Sequence, residues 1–458
     1  MTHIASTTIG TLAGGQKGLR TVTGDEKYLD RVRGHALGLE DLITLRGLAT
    51  SVGVTGRFKE IVDYFGTPEG ETPAGFRVEK VLADDGALSF DLVRDIGYDK
   101  NGQKRPTGLV FSVDSANPYE IEPAAGLIGN LTCNPGIVYD LFLNNPEANV
   151  GNKFGTLEEV LEEIGRIVGP GTDVSVELNN PFEEDFGKIL EQIHVYEEIL
   201  SKHRLVVKVP HTGPVNPQNV RQLLEGDGRL DVRYDQGTTA DYLRGHNLAL
   251  KLHEHGYRVN FTLMFAPHQA ALALQARPYF INAFLRNRIT ATRTFRGLFA
   301  AYESSEDIGF IKQLRDFMVA NDYLAAGESN MDLLEVVERA KVIMHNRRHD
   351  TEGADGLDSA RHALRWLRTT NLSDTRLILC SMQGPLNYPD IMRMLTEEEF
   401  IGMHDRVVIT TEPNYLARWT SHPQVVSYQR RFMRAARAVN EGEANSPLEE
   451  KLQEGAPS

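Results

Sequence analysis

Eight short apolar runs recur from residue 109 onward, separated by stretches in which apolar residues return at helical spacing. The runs are LVFSVDS (109–115), LIGNLTC (127–133), DVSVELN (173–179) and RLVVKVP (204–210). They continue with RVNFTLMF (258–265), YFINAF (279–284), RLILCSM (376–382) and DRVVITT (405–411). Helical segments such as Glu183 to Lys202 and His268 to Ala276 lie between them. Such alternation is the signature of parallel βα units. Eight of them predict an α/β fold closed as a TIM (β/α)8 barrel over residues 106–440, a fold that typically needs roughly 250 residues. The excess length falls in two expansions. One lies between the fourth and fifth strands and includes GDGRLDVRYDQG; the other, at about 288–369 between the sixth and seventh, is expected to hold two or three helices. An open doubly wound sheet is the rival, but no glycine fingerprint follows the first strand. AGGQKG at 13–18 has no strand before it and reads as a flexible turn.

Residues 1–105 read as an N-terminal extension, partly helical, acting as a small cap. The first 20 residues, rich in Thr, Gly and Ser, are expected to be loose. A helix is expected from Lys27 to Thr50, with Leu29, Val32, Leu37, Leu39, Leu42, Leu45 and Leu48 as its apolar positions, before the interruption GTPEGETPAG at 66–75. YQRRFMRAARAV (428–439) is a basic amphipathic helix expected to close the barrel or lie across its mouth, and 441–458 is a C-terminal tail.

Composition narrows the function without naming it. Apolar residues at 41% and charged residues at 24% are ordinary for a globular chain. The 63 acidic against 49 basic residues, net −14, argue against nucleic acid as the main partner, since such binding rests on a basic footprint. Cys133 and Cys380 are too few for a disulfide framework or a cysteine-rich zinc site. MTHIASTTIG has no basic stretch followed by an apolar core, and no run approaches 18 apolar residues. A cytoplasmic location is expected, with no membrane partner.

In this fold, chemistry sits at the C-terminal ends of the strands. The polar residues there are Asp114, Thr132, Asn134, Glu177, Lys208, Asn260, Thr262, Asn282 and Ser381. Each is costly in a barrel interior unless it is hydrogen-bonded or paired. Lys208, within LVVKVP, taken alone reads as a side chain snorkelling to water. In this company it reads as a desolvated amine whose pKa is lowered, able to condense with a ketone to an iminium. The iminium draws electrons from a neighbouring carbon–carbon bond, and carboxylates at Asp114 and Glu177 could move the protons. His211, three residues past Lys208, is a candidate for lining the mouth. His253 and His255 in KLHEHG, and the histidines of MHNRRHD, read as solvent-facing. The two cysteines read as small buried apolar groups.

SVDSANPYEIEPAAGLIGNLTCNPGIV, VVKVP, VNFTLMFAPHQAALALQARPYFINAF and LILCSM together resemble the transaldolase family, over roughly residues 108–440. The resemblance implies Lys208 as the Schiff-base lysine and Asp114 as the general acid/base taking a hydroxyl proton during cleavage. It implies Glu177 and Thr262 as holders of a catalytic water. Asn134 and Asn260 would bond the hydroxyls of a three-carbon unit, with Thr132 supporting the loop and Phe284 as an apolar wall. The related fructose-6-phosphate aldolases tend to carry Gln where Glu177 stands, so the glutamate favours transfer over simple cleavage. No cofactor and no metal are expected. The partner class is a small-molecule sugar or sugar phosphate, in a chain free to form a homo-oligomer. The alternatives are a class I aldolase acting on a non-standard or non-phosphorylated sugar, and a non-catalytic barrel scaffold.

The phosphate end departs from the family's pattern. Transaldolases are expected to grip phosphate with two arginines, after the sixth and seventh strands. Here Asn287 stands at the first position, between Arg286 and Arg288, and Gln383 at the second; Asn282 replaces a serine. A neutral amide does not reproduce the charge-assisted fork of a guanidinium. Arg286 or Arg288 takes over, or the substrate is not a standard sugar phosphate.

Overall fold

The computed structural model describes residues 7–10, 19–38, 47–83, 85–384 and 387–440. All eight runs become strands of one closed parallel barrel: β7 (Val110–Asp114), β8 (Ile128–Cys133), β9 (Asp173–Glu177), β10 (Arg204–Pro210), β11 (Arg258–Thr262), β12 (Phe280–Phe284), β13 (Arg376–Cys380) and β14 (Val407–Thr411). They pair in chain order and β14 returns to β7, which excludes the open-sheet rival. Register sets Lys208 beside Glu177 on one side and Asn260 on the other, and Asp114 beside Thr132. Strand alternation carries Val110, Val206, Phe280, Ile378 and Val408 together as the apolar lower core.

Helices enclose the barrel. α3 (Pro118–Ala124) follows β7, α4 (Leu157–Val168) follows β8, and α5 (Phe186–Ile199) follows β9. The first expansion runs through a 3₁₀ turn at Val220–Leu224 into α6 (Thr239–Glu254), whose start is fixed by the Thr238/Asp241 capping box. Gly245 lets α6 lie directly on β10, because a Cβ there would come within 2.2 Å of the Pro210 carbonyl oxygen. After β11 comes α7 (Pro267–Ala273). The second expansion holds four helices rather than two or three, and starts earlier than expected: α8 (Leu285–Ser305), α9 (Gly309–Ala320), α10 (Leu333–Asn346) and α11 (Asp358–Thr369). Phe295, Leu314, Met318, Val336 and Ala340 give the first three a core of their own. α12 (Asn387–Leu395) follows β13.

The N-terminal extension departs most from expectation. The helix foreseen over 27–50 is short, α1 (Glu26–Val32); Ala36–Leu37 is extended and β4 (Ser51–Val54) is a strand, while 39–46 lie outside the described residues. Gly34 and Gly38 lower helix propensity, and β-sheet pairing claims the flanks. β2 (Arg20–Thr21), β4, β6 (Ala87–Arg94) and β5 (Phe76–Leu82) form a four-stranded sheet, with α2 (Gly56–Phe65) beside it. Phe58, Ile61, Leu88 and Phe90 bury its core. Thr7–Thr8 (β1) and Ala36–Leu37 (β3) pair separately. AGGQKG and the tail 441–458 lie outside the described residues.

This sheet packs on the N-terminal ends of the barrel strands. Glu79 of β5 pairs with Arg258 at the start of β11 and reaches Arg204 at the start of β10 at 3.8 Å. Arg77 pairs with Asp374 at 2.8 Å, and Arg57 donates to the His203 carbonyl at 2.7 Å. The extension therefore seals the end of the barrel away from the predicted chemistry.

Residues 413–458 form a separate unit, in which α13 (Pro413–Arg418) and α14 (Pro423–Asn440) are described. The basic segment 428–439 lies within α14, where Tyr428, Phe432 and Met433 are exposed. No described helix is long and apolar enough to cross a membrane.

Candidate active site

Lys208 is 5% exposed, in the middle of a strand that is otherwise apolar. Its Nζ lies 3.3 Å from Glu177 Oε2, across the β9–β10 register pair. Burial presses the Lys208 pKa down, but the charges of Asp114 and Glu177 outweigh it and the net direction is up. The expectation of a lowered pKa is thereby overturned. It rested on burial alone, and the two carboxylates come from strands that sequence distance keeps apart. Burial in turn pushes Asp114 up, against the pull of Lys208 and of a hydrogen bond from Thr132. Glu177 is pushed up by burial against the same lysine. Three groups thus compete for protons in one enclosed space, as coupled sites do. The amine rests as an ammonium, and an adjoining carboxylate is the nearest acceptor when it must become a nucleophile.

Thr132 does more than support a loop. Its Oγ1 donates to Asp114 Oδ1 at 2.7 Å, fixing the carboxylate's orientation. Thr262 Oγ1 is buried and bonds to no group among the described residues. Below Lys208 runs a polar belt. Asn282 Nδ2 donates to Asn260 Oδ1 at 2.6 Å and to the Phe261 carbonyl at 2.7 Å, and Asn260 Nδ2 donates to Ser175 Oγ at 3.3 Å. Asn130 Nδ2 donates to Ser112 Oγ at 3.1 Å. Ser112, Asn130 and Ser175 were missed from the sequence. Their signal was available, since Ser175 shares a strand face with Glu177, and Ser112 shares one with Asp114. Asn134 Oδ1 accepts from Ile137 N at 2.9 Å, at the start of the π-helical segment Gly136–Leu143 between β8 and α4. Cys133 and Cys380 are buried free thiols; burial pushes Cys133 up to about 12 and raises Cys380 as well.

The far rim is built from β12, β13 and β14. Phe284 stacks on Phe265 with centroids 4.7 Å apart. Ser381 takes a left-handed backbone, φ 57°, just past β13, a conformation that costs a non-glycine residue free energy and clusters at functional sites. Its carbonyl accepts the Arg286 N–H at 2.7 Å. The two arginines differ sharply. Arg288 is buried with its guanidinium on Asp358 of α11 and on the Phe265 carbonyl, 3.0 Å away. Arg286 is half-exposed, donating to the Met382 carbonyl at 3.1 Å and pairing with Glu412 at 3.3 Å. Asn287 is exposed, and Gln383 Oε1 accepts from Thr290 at 2.8 Å. Glu412, one residue past β14, was also missed. The strand-end rule that selected Glu177 would have found it had it been carried to the eighth strand.

His211, three residues past Lys208, packs on Phe261 with centroids 4.4 Å apart. Alternation puts both on the outer side of their strands, toward the helices. Burial and the neighbouring His246 and His268 push His211 down to about 4.

Residues 111–318 match the family model Transaldolase/Fructose-6-phosphate aldolase. A "Probable transaldolase 1" of Listeria monocytogenes serotype 4b (strain F2365) is 31% identical over 180 residues, 38% of this chain and 60% of that protein. The matched segment runs from β7 through β12 into the second expansion, and so contains Asp114, Thr132, Glu177, Lys208 and Thr262. In sequence as in fold, residues 111–318 are similar to the transaldolase/fructose-6-phosphate aldolase family.

Proposed function

We propose that this protein is a transaldolase-like transferase. It moves a dihydroxyacetone-type three-carbon unit from a ketose donor to an aldehyde acceptor through a Schiff base on Lys208. The supporting observation is the placement of Lys208: buried, 3.3 Å from Glu177, and under the charge of Asp114.

The proposed reaction makes use of that geometry. Lys208 Nζ passes a proton to an adjoining carboxylate and attacks the ketose carbonyl carbon. The carbinolamine loses its hydroxyl as water and leaves an iminium. Glu177 and Thr262 would hold the water that carries these protons. Asp114 then takes the proton of the hydroxyl on the carbon beyond the bond to be broken. That carbon–carbon bond breaks, its electron pair moves into the iminium to give an enamine, and an aldehyde leaves. Attack of the enamine on an acceptor aldehyde, with Asp114 returning its proton, reverses the sequence. Asn134, Asn260 and Asn282 would bond or position the hydroxyls of the retained unit. The partner is a small sugar, and the reaction as written draws on no cofactor.

Borohydride trapping with candidate ketoses, followed by peptide mapping, tests the mechanism. A reduced adduct on Lys208 is expected; no adduct with any ketose, or turnover by Lys208→Arg, would show it to be wrong. Product analysis with and without an aldehyde acceptor separates transfer from simple aldol cleavage. Release of the three-carbon ketone without an acceptor would favour the aldolase reading.

A further inference from the structure

Building on the Schiff-base reading of Lys208, we infer that the far rim takes an uncharged polyhydroxy chain rather than a phosphorylated one, with Glu412 as the residue that sets this specificity. The groups that could greet a substrate anion are engaged. Arg288 is turned into the α11 interface with Asp358. Gln383 carries no charge and is bonded to Thr290. Arg286, at the start of α8, is the remaining cation of this rim segment among the described residues, and the anion beside it is already a residue of the chain, Glu412 at 3.3 Å. Its Nε and backbone N–H are taken by the Met382 and Ser381 carbonyls.

The charge balance of the groups described points the same way. Lys208 pairs with Glu177 and Arg286 with Glu412, while Asp114 lies within the influence of both Lys208 and Glu412, so these five groups set two cations against three carboxyls. A phosphate dianion would enter against that excess and would have to displace Glu412 from Arg286. Like charges brought together in a binding site disfavour binding strongly. A sugar hydroxyl meets no such penalty. It donates to the Glu412 carboxylate and accepts from the Arg286 guanidinium, and the carboxamide of Gln383 offers both roles. Glu412 and Arg286 are each about half exposed. Such a pair contributes little stability, so its consequence falls on selectivity.

The test uses the full chain and two probes. Dihydroxyacetone, a bare three-carbon ketone, reports imine formation by borohydride trapping on Lys208. Glyceraldehyde and glyceraldehyde 3-phosphate then compete as acceptors, and the product ratio gives the ratio of kcat/KM directly. The expected ratio favours the free aldehyde by about tenfold or more, and Glu412→Gln is expected to move it toward the phosphorylated acceptor by about tenfold. Added salt should narrow the native ratio, because the repulsion is between part-exposed charges. Preference of the native protein for the phosphorylated acceptor, or a ratio unmoved by E412Q, overturns the inference while leaving a Lys208 adduct intact. Absence of the dihydroxyacetone adduct overturns the Schiff-base reading beneath it.

Discussion

A buried lysine is expensive, and its cost here is offset by two carboxylates rather than by loss of its proton. The Thr132 hydroxyl donates to Asp114 and favours that group's charged form. Thr132→Val removes the donor, so the Asp114 pKa should climb further. With Asp114 as the base of the proposed reaction, the acid limb of the kcat/KM profile should move to higher pH by about one unit. That shift corresponds to one lost hydrogen bond to a charged group, and an unmoved limb would remove Asp114 from the role. Histidines set a separate dependence. Burial pushes His203, whose Nε2 lies 2.9 Å from the Gly165 carbonyl, down to about 4, and His211 likewise. Both are bases whose folded pKa lies below the unfolded value, so the unfolded chain binds more protons between pH 6.5 and 4. Stability is fully present above that window and falls as pH drops through it, by about 3 kcal/mol for each histidine. Denaturant midpoints taken across this range should show the fall, and His203→Gln should flatten it.

At the scale of elements, a buried ion pair ties the first helix of the second expansion to its last. Arg288 on α8 binds Asp358 on α11 and the Phe265 carbonyl after β11. Breaking such a pair from one side leaves an uncompensated charge, so Asp358→Ala should cost about 3–5 kcal/mol in unfolding experiments. The double replacement Arg288→Met with Asp358→Leu should cost clearly less, because no charge is left stranded. The pair also decides which arginine can approach substrate, since it removes Arg288 from the rim and leaves Arg286. The sequence NAFLRNRI shows both arginines at equal distance from the expected position, and only the helix direction of α8 separates them. The sequence predicts two or three helices in this insertion, and the structure holds four. Glu306, Asp322 and Arg348, non-glycine residues at positive φ, stand at its three breaks, and no turn motif announces them.

Across the whole molecule the two ends of the barrel have opposite tasks. The C-terminal ends of the strands gather Lys208, Asp114, Glu177 and Thr262, while the N-terminal ends meet the β2–β4–β6–β5 sheet through Glu79, Arg204 and Arg258. Burial raises the Glu79 pKa, but Arg204 and Arg258 outweigh it and hold the carboxyl below its usual value. The resulting stability is present above the unfolded carboxylate range and is lost as pH falls through the lowered value. Glu79→Ala should therefore destabilise the protein by about 2 kcal/mol at neutral pH. Trapping on Lys208 should survive, because the seal lies at the opposite end. Loss of trapping in a folded Glu79→Ala protein would mean the two ends are coupled.

The period of the apolar residues was enough to declare eight βα units, their order and the strand that bears Lys208. Those are local properties, carried by patterns a few residues long. The strand-end rule also found Asp114, Glu177 and Thr262, because a polar residue closing an apolar strand is locally conspicuous. What the chain could not declare were relations between distant segments. These include the direction of the Lys208 pKa, the Thr132–Asp114 bond, the sequestering of Arg288 by Asp358 seventy residues away, and Glu412 facing Arg286. The N-terminal sheet belongs with them, since short strands flanked by glycine take their form from the partners they pair with. A pKa, an ion pair and a β-ladder are each sums over neighbours in space, and only the closing of the barrel decides who those neighbours are.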